Sequence, residues 1–197
     1  MDERSFITEV RRIFALAPDA RFSAMSDLHQ RVHAAYTQSV RAITPDQAAL
    51  SSSDGRLLSQ VVGHIMEWER YTLFCLGPLL SGVKTRKMLW KNGYVDHAGE
   101  PYNFGSLDAF NAFQAERQAA VSWQVLQADA LRMADTLMNL LAKPGLLTSA
   151  LLENTEPISP ELYDGKRLPI PCGWFLWYVI LDHEAVEHAR DLYGSVK

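Results

Sequence analysis

Met25, Leu28, Val32, Tyr36, Val40 and Ile43 recur three and four residues apart, the spacing of one face of an α-helix. Three further stretches carry the same signature. One runs from about Asp54 to Leu76, with Leu57, Val61, Ile65, Trp68 and Tyr71 on its stripe and Gly77-Pro78 beyond it. Another starts near Ser106, a residue type that caps helices, has Asp108 in its first turn, and continues to about Ala142 before Pro144-Gly145. The last follows Pro171 and runs from about Gly173 to Tyr193, with Gly194 suited to a left-handed cap. Helices of this length hide their apolar stripes by packing on one another, so the expected fold is all-α: a four-helix bundle filling one domain over residues 1–197. The stretch SFITEVRRIFALA predicts a further short helix on the outside of the bundle. Residues 77–105 and 143–171 are rich in Gly and Pro, lack strand alternation, and read as long crossing connections.

Charge and cysteine usage exclude several functions. The net charge of −4 provides no general attraction to nucleic acid or to an anionic membrane. Lys84, Arg86, Lys87 and Lys91 cluster in one connection and read as solvated surface. The start, MDERSFITEVRR, lacks the layout of a signal peptide, and no apolar run reaches the ~18 residues of a membrane span. A cytoplasmic protein without nucleic-acid or membrane partners is expected. Cys75 and Cys172 have neither zinc-ribbon nor disulfide spacing and read as small buried hydrophobes.

The chemistry concentrates in LDHEAVEHARDL, from Leu181 to Leu192, where His183 pairs with Glu187 and Glu184 with His188, each four apart. At about 100° per residue, Trp174, Trp177, Leu181, Ala185 and Leu192 form one stripe. Glu184 and His188 fall on it or at its edge, while His183 and Glu187 point toward the polar side. His64 sits in the stripe of the second long helix. A carboxylate facing the core needs a partner, and a divalent metal shared by Glu184, His188 and His64 would supply one. Two imidazoles and a carboxylate leave coordination positions open, as reactive sites require, and suit zinc, nickel or iron alike. A buried hydrogen-bonded pair of Glu184 with His64 or His188 satisfies the same residues without metal. His29 and His33, also four apart, are rival ligands or cavity-lining groups, and His97 lies in a Gly-rich connection.

The sequence resembles the DinB/YfiT-like superfamily of metal-binding four-helix bundles at three places. LLSQVVGHIMEWER (Leu57–Arg70) is similar to the family helix that carries a ligand histidine. The segment Ser106–Leu141 matches the family's third helix, including an Asp-x-x-Asn start at Asp108 and Asn111. EAVEHARDL (Glu184–Leu192) resembles the Glu-x-x-x-His-x-x-Asp-Leu signature of the mycothiol-dependent maleylpyruvate isomerase branch. The resemblance implies a metal held by His64, Glu184 and His188, with Asp191 orienting a ligand. Much of the superfamily instead has His-x-x-x-His in this helix, a pattern half kept here, with Glu187 four residues after His183. The isomerase branch usually carries a second, C-terminal domain, whereas a single bundle domain is expected here.

The implied activity is thiol-dependent S-transfer or isomerisation of a small electrophile, using a low-molecular-weight thiol such as mycothiol or bacillithiol. Trp68, Tyr71, Trp177 and His29 would then line the pocket, and a homodimer is expected. Metal-dependent hydrolysis is a close alternative. Sequestration of a small molecule without turnover, as in the colibactin self-resistance group, is another; Trp90, Tyr94, Tyr102 and Phe104 would then form a lid or simply pack the connection onto the bundle.

Overall fold

The computed structural model describes residues 1–53, 55–83, 94–95, 100–188 and 191–192. Lys84, Arg86, Lys87, Trp90, Lys91 and His97 lie outside the described residues. Four long helices form the frame: α2 (Pro18–Ala42), α4 (Leu58–Leu80), α6 (Trp123–Leu141) and α8 (Cys172–Asp182). Shorter helices α1 (Glu3–Phe14), α3 (Pro45–Ala48), α5 (Leu107–Gln118) and α7 (Ser149–Glu153) pack around them. Two antiparallel hairpins, β1 (Tyr94–Val95) with β2 (Pro101–Tyr102) and β3 (Pro157–Ile158) with β4 (Ile170–Pro171), tie down the connections. The all-α expectation holds. Among the described residues no helix is long and apolar enough to cross a membrane.

The helix expected over 106–142 is two helices. No Gly or Pro marks the break, so tertiary contacts set it. Gln118 donates from Nε2 to the carbonyl of Gly63 at 2.9 Å, fixing the end of α5 on α4. Trp123 donates from Nε1 to the Ile43 carbonyl, and Gln127 from Nε2 to the Val40 carbonyl, fixing the start of α6 at the end of α2. An unbroken helix would carry Leu126 about 120° round from Gln114, although both are buried. The turn between α5 and α6 absorbs that phase difference.

α1 is also more central than expected. Phe6, Val10 and Ile13 are fully buried, and Phe6 packs on Tyr178 of α8. The hairpin β1–β2 is clamped to the bundle: Tyr94 is buried against Tyr71, Phe74 and Phe110, and Gln114 donates to its hydroxyl at 3.2 Å. Tyr102 and Phe104 pack on Phe113. These aromatics anchor the connection, as the packing alternative to a lid requires.

The turn before α4 starts the helix at Leu58, not near residue 54. Ser51 bridges Leu57, and the Ser52 amide donates to the Arg56 carbonyl at 2.7 Å. Gly55 closes the turn with φ +85°, a left-handed conformation that glycine adopts without a Cβ clash. This turn presents Arg56 at the end of the bundle helix that carries His64.

The core falls into two apolar clusters. Along α4 the seam between them lies between Met66 and Tyr71; along the last helical segment it lies between Ala185 and Leu192. Glu69 and His188 occupy that seam.

Candidate metal centre

α8 is buried on nearly every side: Trp174, Leu176, Trp177, Tyr178, Ile180 and Leu181 are all inside. A helix packed all round has no polar face to point a histidine toward. The chain then changes helical type. Residues His183–Glu187 form a π-helical turn, in which backbone hydrogen bonds join residues five apart and the rotation per residue is smaller than in an α-helix. His183 and His188 are five apart. The expectation that His183 faces solvent is therefore corrected: it is 7% exposed and His188 is 4% exposed. Glu187 remains on the exposed side.

His183 and His188 meet His64 from α4. One ring nitrogen of each of the three lies within 4.8 Å of the others. The His64 ring centroid is 4.9 Å from that of His188 and 5.5 Å from that of His183. Three neutral imidazoles suit zinc and neighbouring first-row divalent ions. His183 is prepared for that use. Its Nδ1 lies 2.8 Å from the Val179 carbonyl, which fixes the proton there and leaves the Nε2 lone pair available. Burial lowers its pKa, keeping the ring neutral, although Glu187 partly opposes this. The Glu187 Oε2 atom lies 3.3 Å from His183 Nε2.

Glu184 is not a member of this group. It is buried on the α2 side, with Oε1 3.5 Å from His29 Nε2. Trp177 donates from Nε1 to His29 Nδ1 at 3.0 Å, so the His29 proton sits on Nε2 and points at Glu184. Glu69 of α4 completes the cluster. Burial pushes its carboxyl well above the usual range, and Glu184 beside it pushes the same way. Two ionised carboxylates can only accept hydrogen bonds, but a protonated Glu69 can donate to Glu184. The predicted grouping of Glu184 with His64 and His188 thus separates into a three-histidine cluster and an interior Trp177–His29–Glu184–Glu69 chain. The π turn changes the rotation per residue, so the constant α-helical wheel that grouped Glu184 with His188 does not apply there.

Other expected residues distribute as follows. Trp68 stands beside His183, ring centroids 5.1 Å apart, and lines a cavity of about 520 Å³ together with His64 and His183. Tyr71 belongs to the aromatic core, against Trp68 and Phe110. Trp177 and His29 sit in the interior chain. His33 pairs with Asp135 at 3.1 Å, joining α2 to α6. Asp191 accepts from the Ser53 amide at 2.9 Å, and so holds the turn that carries Arg56.

Sequence reasoning missed two groups. Asp182 lines the same cavity as His183. Burial pushes its carboxyl up to about 7, with Glu187 adding to the shift and the Tyr163 and Tyr178 hydroxyls opposing it. The folded state therefore holds a proton that the unfolded chain releases near its ordinary value of 3.8. Stability is then expected to fall as pH rises from about 4 to about 7, by at most about 1.4 kcal/mol per pH unit from this group. Asp182→Asn should flatten that part of the profile, checked by denaturant unfolding at pH 5 and pH 8. Equal slopes in both proteins would contradict the burial of this carboxyl. Arg56 is the second missed group. Its NH2 nitrogen lies 3.1 Å from His188 Nδ1. The apolar run leading into His183 is a signal that could have found Asp182; nothing in the residue pattern points to Arg56.

Cys75 and Cys172 are fully buried, and burial pushes the Cys75 thiol up to about 12.

The architecture and its histidine cluster define a helical bundle with a candidate metal centre. Among solved structures, the fold is similar to that of a histidine-to-alanine mutant of the mycothiol-dependent maleylpyruvate isomerase, with a TM-score of 0.54 at 13% sequence identity. The match covers 91% of this chain and 62% of that one. At that identity the likeness establishes a shared fold. No protein-family profile matches the sequence, and no curated protein matches it.

Proposed function

We propose that this protein is a metal-dependent transferase or isomerase that joins a low-molecular-weight thiol, permanently or transiently, to a small electrophile. The observation that carries the reading is the cluster of His64, His183 and His188 beside a cavity of about 520 Å³. A divalent metal bound there, zinc, nickel or iron, would supply a Lewis acid that favours ionisation of a thiol. The three histidines would hold it, with His183 locked in the required tautomer by Val179. Trp68, Phe175 and Tyr178 give the cavity an apolar wall for the electrophile. Glu187 and Asp182, in the same cavity, are placed to take up the proton that the thiol loses as its sulfur bonds to carbon. In an isomerisation, the same C–S bond breaks after rotation and the thiol is regenerated. Neither cysteine is placed to act as the thiol, because Cys75 and Cys172 are both fully buried and burial raises the Cys75 thiol. The similar fold of a mycothiol-dependent isomerase is consistent with this reading.

The test is a mass-spectrometric screen of metal-loaded protein with cysteine-derived thiols and a panel of small Michael acceptors and cis-enoates. Conjugation or cis–trans conversion that needs both thiol and metal, and disappears in His183→Ala, is the expected result. Turnover that proceeds equally without thiol overturns the thiol reading, and a product cleaved with uptake of water would replace it with metal-dependent hydrolysis.

A further inference from the structure

His64 borders a second cavity, of about 270 Å³, which adjoins the larger one along His64 and Asn111. Its polar lining is Arg56, Gln60, Asn111, Gln114 and Gln118. Among the described residues no carboxylate lines it. The larger cavity is the opposite: Glu161, Asp182 and Glu187 all line it. An anionic group entering this region is repelled by the carboxylates of the larger cavity and met by a guanidinium and amides in the smaller one.

Arg56 also occupies the centre itself. A guanidinium only donates, so its NH2 contact with His188 Nδ1 uses the single lone pair of a neutral imidazole. A metal ligand needs that same lone pair. If the metal took Nδ1, Arg56 would be displaced outright. If it took Nε2, the ring proton would move to Nδ1 and face the Arg56 donor. Either way Arg56 and a metal compete for His188. Arg56 has a place to go, because it already lines the smaller cavity. Its turn is anchored by Asp191 through Ser53, three residues away, which keeps the guanidinium within reach.

We propose that the smaller cavity is a carboxylate-binding subsite and that Arg56 exchanges its hold on His188 for the carboxylate of a bound small molecule when the metal binds. The subsite selects acids over their amides; Arg56 is the specificity-determining group, and Asn111 and Gln60 supply the neutral hydrogen-bonding wall. This inference rests on the metal reading above. It adds that one reactant is a carboxylic acid and says which residue recognises it. The acid is either the thiol or the electrophile; both present the same group to a guanidinium fork.

The test uses the full chain, with Arg56→Gln and Arg56→Lys beside the wild type. Cobalt affinity is read first, from the visible spectrum. Arg56→Gln should bind cobalt about tenfold more tightly than wild type, because the competing donor is gone. Calorimetry on the cobalt-loaded proteins then compares 3-mercaptopropionate with its amide, and succinate with succinamide. A preference for the acid of about tenfold or more in wild type, lost in Arg56→Gln and partly kept in Arg56→Lys, is expected. Preference within the thiol pair assigns the carboxylate to the thiol. Preference only for succinate assigns it to the second reactant. Unchanged cobalt affinity in Arg56→Gln, or equal binding of acid and amide in wild type, overturns the inference while leaving the metal centre standing. Failure of all three proteins to bind cobalt overturns both.

Discussion

Alanine at His183 is expected to strip the protein of metal, whereas glutamine at Glu184 leaves it loaded. Elemental mass spectrometry on protein purified without chelator should give about one divalent ion per chain for wild type and Glu184→Gln. His64→Ala, His183→Ala and His188→Ala should each fall close to zero, with helical circular dichroism retained. The contrast is sharp because the two neighbours face different elements. His183 meets His64 of α4, and Glu184 meets His29 of α2. Loss of metal in Glu184→Gln with retention in His183→Ala would mean that the segment binds metal in an unbroken α-helical register. The π turn would then not be the binding conformation.

The second large effect falls on stability. His29→Ala removes the acceptor for the Trp177 indole N–H and the donor facing Glu184, and all three side chains are buried. Deleting the central member of a buried hydrogen-bonded chain of this kind costs about 3–5 kcal/mol. In a chain of this length that corresponds to a fall in Tm of roughly 10 °C, measurable by thermal circular dichroism. Metal content should be unchanged, because His29 lies outside the three-histidine cluster. A loss under about 1 kcal/mol would show that water or a neighbouring group replaces the imidazole, and that the interior chain is not built as described.

The helices were legible because their stripes repeat over many turns. Pro18–Ala42 and Leu58–Leu80 overlap the expected spans, although the second starts four residues late and continues through Gly77-Pro78, and the all-α frame follows from the pattern alone. The break between α5 and α6 was not, since AAVS contains no strong breaker and the anchors, Gly63 and Ile43, are distant in sequence. At the centre, residue type was more informative than orientation. The pattern singled out His64 and His188, which the fold brings together, and named Glu184 as their partner, which it does not. The wheel assumes a constant rotation per residue, and the π turn violates that assumption where His183 and His188 lie. The available clue was the five-residue spacing of His183 and His188. The remaining gap, Arg56, comes from a turn whose shape depends on Gly55, Ser53 and Asp191 together, and no local periodicity encodes such a contact.

The burial of both cysteines bears on how long such a molecule lasts in use. A catalyst that handles electrophiles meets, at every turnover, a reagent able to alkylate any thiolate it carries. Here both sulfurs are fully enclosed, and that of Cys75 stays protonated at any physiological pH. In the proposed reaction the sulfur that is consumed would be borrowed and replaceable, while the protein's own would be kept out of the exchange. Under that proposal the hydrophobic interior would act as chemical armour, sparing the polypeptide from becoming one of its own products.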